Sequence, residues 1–255
     1  MYPDDVKATI VVPVLYAEAQ LADTLRGLSA LRDEVDLEIL VVVDVPDPAR
    51  QQRAREANDQ IVADAGGRVL YRVGERGFGS ALRYAFGQAA GDAVIPFMGD
   101  ESDRAEDIPA MIRELERGYD VIAGSRFMRG GEIIGMTAKQ RISRLYSGIV
   151  RLVGGLPIHD VSNAFKVYRK EVLETVPTVA ESFDISVELT VKASLGGFRL
   201  GEIPTRWTNR QLGASKFSIS NEIPNYWRWL ALAARGRLSV GHRADAAASR
   251  GKKPS

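Results

Sequence analysis

The sequence predicts an α/β fold, with a mostly parallel central sheet and helices on both faces. Three observations carry that expectation. Short apolar runs rich in valine and isoleucine recur through the first half of the chain. Stretches with apolar residues at helical spacing separate them. The runs are continuous rather than alternating, as strands covered on both faces are.

The elements follow in order. Ala8 to Leu15, "ATIVVPVL", is a buried strand, and "AEAQLADTLRGLSAL" is a helix with Leu21, Leu25 and Leu28 on one face. Leu37 to Val45, "LEILVVVDV", is a second strand. "PARQQRAREANDQIVADAGG" is a polar helix stopped by Gly66 and Gly67. "RVLYRV" is a third strand, "GSALRYAFGQAAG" a helix and "DAVIPFM" a fourth strand. "AEDIPAMIRELERG" is a helix stopped by Gly118, and "DVIAGSR" a fifth strand. In the second half, "TAKQRISRLYSGIVRLVGG" is a basic amphipathic helix, "SFDISVELTVKASLGG" another helix and "FRLGEIPTRW" a strand. "EIPNYWRWLALAARGRL" is a C-terminal helix rich in aromatics and arginine. Residues 1–238 read as one domain, and residues 239–255 as a disordered basic tail.

Composition narrows the function. With 45% hydrophobic and 26% charged residues in 255, the chain can build one large core or two small ones. A net charge of +1 gives no global field for nucleic acid, which is not expected as a partner. The absence of cysteine excludes disulfides, thiolate catalysis and Cys-based zinc sites. Two histidines, His159 and His242, cannot alone form a His-rich metal site. No stretch approaches the roughly 20 apolar residues of a membrane span, and the N-terminus lacks a signal peptide's apolar segment. A cytoplasmic protein is expected, with any membrane contact peripheral, at the inner face.

Ligands of such sheets bind outside the carboxyl ends of the strands, where Asp44, Asp100 and Arg126 all fall. The segment "AVIPFMGDESDRAEDIP" ends a strand at glycine and then places Asp100, Glu101, Asp103, Glu106 and Asp107 close together. Asp100 with Ser102 or Asp103 suits a hard divalent cation held against a diphosphate. The same acids, Asp103, Glu106 and Asp107 above all, also suit the start of a helix. Arginine forks match phosphate oxygens, so Arg126, Arg129, Arg141, Arg210 and Lys216 are candidates. The glycine-bordered settings of Arg126, Arg210 and Lys216 favour those three over plain surface charge. Gly74, Gly77 and Gly79 precede a helix with G-x-x-G-x-G spacing, which is not the dinucleotide fingerprint; a tight turn with close backbone approach fits better. Asp160 is a candidate general base. His159 beside it points to the opposite face if the segment is extended.

These segments, in this order, resemble the family 2 glycosyltransferases of GT-A fold, dolichol-phosphate or polyprenyl-phosphate mannose synthase-like members above all. The matching pieces are "VVPV", "EILVVVD", "GFGSALRYAFGQAAGD", "MGDESDRAEDIP", "GSRFMRGG", "DVSNAFKVYR" and "EIPTRWTNRQLGASKF", between about residues 8 and 235. The resemblance implies a nucleoside-diphosphate-sugar donor, Mg²⁺ or Mn²⁺, inverting transfer and a lipid-phosphate acceptor. It places Pro13 and Asp44 at the nucleotide, with Glu18 and Gly79 among the substrate-side residues. Asp100 takes the second carboxylate of the family's D-x-D, and Ser102 a further metal-side ligand. Arg126, Arg210, Ser215 and Lys216 hold the acceptor phosphate or the donor diphosphate, and Asp160 matches the aspartate before the family's "SGF". The departures are specific: Met98 stands at the first D-x-D carboxylate, "DDGS" becomes "VDVP", and "SGFR" becomes "NAFK". Transfer to a soluble hydroxyl, which would need Asp160 as base, and a binding protein without activity are the alternatives.

Overall fold

The computed structural model describes residues 6–15, 20–74, 77–209 and 223–237. Strands β1 (Ala8–Leu15), β2 (Leu37–Val45) and β3 (Arg68–Val73) keep the bounds predicted from sequence. Helices α1 (Leu21–Ser29) and α2 (Gln51–Asp64) connect them. Helix α3 (Phe78–Phe86) leads to β4 (Ala93–Pro96), and α4 (Ile108–Glu116) to β5 (Val121–Ser125). Beyond these lie β6 (Glu132–Ile134), α5 (Ala138–Gly154), β7 (Lys166–Arg169), α6 (Lys170–Thr175) and α7 (Ile185–Leu195). Strands β8 (Leu200–Pro204) and β9 (Arg206–Thr208) and a helix over residues 223–237, α8, complete the described chain.

The main sheet runs β3-β2-β1-β4-β7-β5-β8. All its pairings are parallel except those of β7, which lies antiparallel between β4 and β5. Successive strand residues face opposite sides. Ile10, Val12, Ile39 and Val41 therefore pack under α1, α2 and α4, while Val11, Leu40 and Val42 pack under α3, α7 and α8. These side chains are fully buried, each contributing roughly 1.5–3 kcal/mol. Two-sided burial explains the unbroken apolar runs in the sequence.

Two expectations change. The segment read as one strand, "FRLGEIPTRW", is two: β8 ends at Pro204, and β9 pairs instead with β6 in a separate two-stranded sheet. The acids after Asp100 do not all start a helix. Glu101 and Glu106 face solvent, and Asp107 accepts a hydrogen bond from Thr205, but Asp103 is buried at 7% exposure.

Helix α5 begins at a capping box, in which the Thr137 amide donates to Gln140 Oε1 at 3.0 Å, and ends at Gly155 with φ of 67°. Its inner face carries Ser147 and Val150. Helix α8 docks beside it: the Tyr146 hydroxyl donates to the Tyr226 carbonyl at 2.8 Å, and Trp229 Nε1 donates to Asp184 at 2.7 Å. No helix of the described residues is long and apolar enough to cross a membrane.

Candidate active site

Strand order reverses between β1 and β4, since the chain moves outward from β1 to β3 before returning to β4. Such a switch point leaves a crevice at the carboxyl ends of the strands. A cavity of about 800 Å³ lies there. Pro13, Val14 and Leu15 from the end of β1, Asp44 from β2 and Met98 to Asp103 after β4 form one wall, although Glu101 does not take part. Gly77 and Phe78 at the start of α3 and Phe183 close the next side, with Phe78 and Phe183 stacked at 4.5 Å. Arg126, Ser162, Asn163 and Trp207 also line the cavity, as do the first turn of α5 and Tyr226 of α8.

Asp44 makes an ion pair with Arg72 of β3 at 3.3 Å, both side chains nearly sealed from water. Asp100 is half-buried, and its Oδ1 accepts from the Ser102 amide at 3.2 Å. That turn bends at Glu101, the only non-glycine residue of positive φ (56°) among the described residues. Thr208 of β9 donates its amide to the Ser102 carbonyl at 2.9 Å and pins the loop. The result brings Asp100, Ser102 and Asp103 to one end of the cavity. Burial pushes the Asp103 carboxyl up to about 7; Arg126 opposes this, and the charges of Asp100 and Asp160 add to it.

Arg126 is held by a fork. Its Nε donates to Asp160 Oδ2 at 2.6 Å, and its Nη2 to Asp160 Oδ1 at 3.0 Å and to Ser162 Oγ at 3.2 Å. Its guanidinium lies 4.9 Å from the Phe127 ring and 5.9 Å from the Trp207 ring. These bonds fix the plane of the group and leave Nη1 uncommitted among the described residues. Asp160 is fully buried and also accepts from the Asn163 amide at 3.0 Å. Burial would raise its carboxyl, but the Arg126 charge and hydrogen bonds hold it below the usual carboxylate range. Lys166 on β7, also sealed, donates to the carbonyls of Val161 and Asn163 and to Ser186 Oγ, which holds the loop carrying Asp160. Burial pulls its ammonium down to about 7.

The structure thus brings Pro13, Asp44, Asp100, Ser102 and Arg126 to one cavity. It does not bring Asp160 there: that carboxylate backs Arg126 and does not line the cavity. The close approach expected at Gly79 is to the chain's own backbone; a Cβ would meet the Ala180 carbonyl oxygen at 2.4 Å. Arg129 and Arg141 face solvent, away from the lining. Lys139, two residues before Arg141, lines the cavity instead. His159 pairs with Glu202 and does not line the cavity. Glu18, Arg210, Ser215 and Lys216 lie outside the described residues. Asn163, Trp207 and Tyr226 were not singled out in the sequence, which offers no signal for them beyond their place in the matching segments.

Comparison with known proteins supports this architecture. The profile described as "Glycosyl transferase family 2" matches residues 9–176. The polyprenol monophosphomannose synthase of Mycolicibacterium smegmatis is 30% identical over 177 residues, covering 67% of each chain. The undecaprenyl-phosphate mannosyltransferase of Micrococcus luteus is 29% identical over 218 residues, covering 82% of this chain and 88% of that one. Among solved structures, glucosyl-3-phosphoglycerate synthase of Mycobacterium tuberculosis, in complex with Mn²⁺, UDP and glucosyl-3-phosphoglycerate, superposes with a TM-score of 0.63. It is 16% identical and covers 91% of this chain and 80% of that one.

Proposed function

The chain belongs to glycosyltransferase family 2, and from that premise we propose that it moves a sugar, with inversion, from a nucleoside diphosphate to a polyprenyl phosphate. The observation that carries this reading is the cavity's polarity. The carboxylate of Asp100 and the guanidinium of Arg126, whose direction is fixed by Asp160, line the same cavity. An acceptor phosphate oxygen forms the new bond to the anomeric carbon. The old bond breaks, and its electron pair leaves with the nucleoside diphosphate. Asp44 and Pro13 orient the nucleotide, and Arg126 takes phosphate oxygens through Nη1. Asp100 and Ser102 offer only hard oxygen donors, and Asp103 adds a buried oxygen without a hydrogen-bond partner; this donor set fits Mg²⁺ or Mn²⁺. Such an ion, when bound, neutralises charge on the leaving diphosphate.

A phosphate acceptor is already an anion and needs positioning rather than a base. A hydroxyl acceptor needs a base, and Asp160, neutralised by Arg126 and away from the cavity, is unsuited. Asp103, near 7, is the alternative for that second reading. The test compares a short polyprenyl phosphate with its dephosphorylated alcohol under matched donor. Transfer to the phosphate at least a hundredfold faster is expected; equal rates would establish the hydroxyl reading instead.

The acceptor's lipid tail requires a membrane, and the α5 surface suits one. Ile142, Leu145, Ile149 and Leu152, exposed by 40–75%, form one stripe along the helix. Exposed Arg141, Arg144 and Arg151 flank it, and Trp227 of the neighbouring α8 is 69% exposed. Apolar residues bordered by arginine and tryptophan match an anionic bilayer surface, where each basic residue contributes about 1 kcal/mol. The double variant Leu145→Glu/Leu152→Glu is expected to bind anionic phospholipid vesicles at least tenfold more weakly. Its melting temperature and its transfer to a short-chain acceptor should stay unchanged. Undiminished co-sedimentation would remove this face from the membrane contact.

A further inference from the structure

Met98 occupies the place where the family resemblance expects the first of two carboxylates, so the cation would keep only Asp100 there. The fold supplies a second one from elsewhere. Asp103 is buried at 7% exposure and lines the same cavity end as Asp100. Its carboxylate receives a hydrogen bond from the Asn163 side chain, while Oδ1 is sealed and has no partner. It makes no ion pair among the described residues, since the Arg126 fork is spent on Asp160. Leaving a buried carboxylate oxygen without donor or cation is costly, and native structures rarely keep one without a reason. The turn that produces this arrangement is itself strained at Glu101 and pinned from β9. A plain helix-start role does not explain it, because the helical turn that follows begins only at Ala105 and receives no cap from Asp103.

We propose that Asp103 is the second protein carboxylate of the divalent-cation site, replacing the one absent at position 98. This deepens the transferase reading and rests on it. Two carboxylates within one turn are a usual protein contribution for Mg²⁺, the remaining positions falling to phosphate oxygens and water.

The experiment measures Mn²⁺ bound to the full chain, by electron paramagnetic resonance of the free ion, with and without UDP or GDP. Asp103→Asn keeps the side chain's shape and its fold, and is expected to weaken Mn²⁺ binding at least tenfold. Asp100→Asn, run in parallel, is expected to do the same. If Asp100→Asn loses Mn²⁺ and Asp103→Asn binds it within twofold of the wild type, Asp103 is not a ligand and the transferase reading stands. If the wild-type chain binds no Mn²⁺ and transfers sugar in EDTA, both the cation site and Asp103's role in it are overturned, while transfer itself is retained. A second variant separates ligation from positioning. The chain has no cysteine, so Asp103→Cys introduces a single thiol. A soft thiolate at a ligand position prefers Cd²⁺ to Mn²⁺. Expected is loss of Mn²⁺ affinity with a new sulfur-to-Cd²⁺ charge-transfer absorption. A residue that only braces Arg126 would give no such band, and its absence from the folded variant would overturn the proposal.

Discussion

Asp100→Ala is expected to lower transfer by at least about a hundredfold and to abolish the metal-dependent part of donor binding. The reasoning starts from where the side chain sits. Asp100 follows β4 at the switch point, half-buried, on the cavity wall. Its Oδ1 accepts from the Ser102 amide. On the proposed reading, its charge helps to hold the cation. A cation that neutralises a leaving diphosphate contributes several kcal/mol to the barrier, and each 1.36 kcal/mol is about tenfold in rate. The check is transfer rate, together with thermal unfolding against nucleoside diphosphates with and without Mg²⁺ or Mn²⁺. A ligand at a hundred times its dissociation constant adds about 2.7 kcal/mol, several degrees for a chain of this size. The variant should lose the extra shift given by metal, each protein being compared with its own unfolding in buffer. Transfer at the wild-type rate would remove Asp100 from the chemistry.

Arg126→Met carries the second large effect, because two roles fail together. The fork to Asp160 is sealed: the arginine side chain is 9% exposed and the aspartate not at all. Removing the guanidinium leaves a buried carboxylate with no ion-pair partner in contact, which typically costs about 3–5 kcal/mol. For a chain of this length, the melting temperature falls on the order of ten degrees. Transfer is lost as well, but a destabilised protein alone could show that. Adding Asp160→Asn resolves the ambiguity by removing the stranded charge. The double variant is expected to regain most of the melting temperature and none of the transfer. Recovery of transfer would mean that Arg126 serves only the fold. A melting temperature unmoved by Arg126→Met would mean that the fork contributes nothing to stability.

The first three strands could be read to the residue because both of their faces are covered, so nothing interrupts the apolar run. Strand β7 escaped notice for the opposite reason. It is four residues long and opens on a lysine, which a buried strand seldom carries. Only the folded chain shows that two carbonyls and Ser186 Oγ satisfy that ammonium. The split between β8 and β9 was equally hidden, since both halves have strand composition and only pairing partners separate them. At the site, Asp44, Asp100 and Arg126 were legible as strand-end residues and Pro13 through the family resemblance, and all four line one cavity. Direction of loop side chains was not legible. Whether Asp103 starts a helix or turns inward depends on a positive φ at Glu101, which glutamate does not advertise. Asp160 was read as a candidate base, because sequence does not show that a carboxylate is already paired, as this one is with Arg126.

The antiparallel seat of β7 has a consequence for how the protein is made. Strands β4 and β5 lie on either side of it and do not pair with each other. A nascent chain that has emerged as far as Ser125 therefore holds five strands but only an incomplete sheet. The open side of β4 and one side of β5 await β7, and the other side of β5 awaits β8. Unpaired strand edges of this kind invite pairing with other chains. The ribosome must deliver α5 and the Asp160 loop before the sheet can close, so the residues that fix Arg126 arrive with the strand that seals the core. A cut between the two halves of this chain would yield two sticky fragments, not two domains.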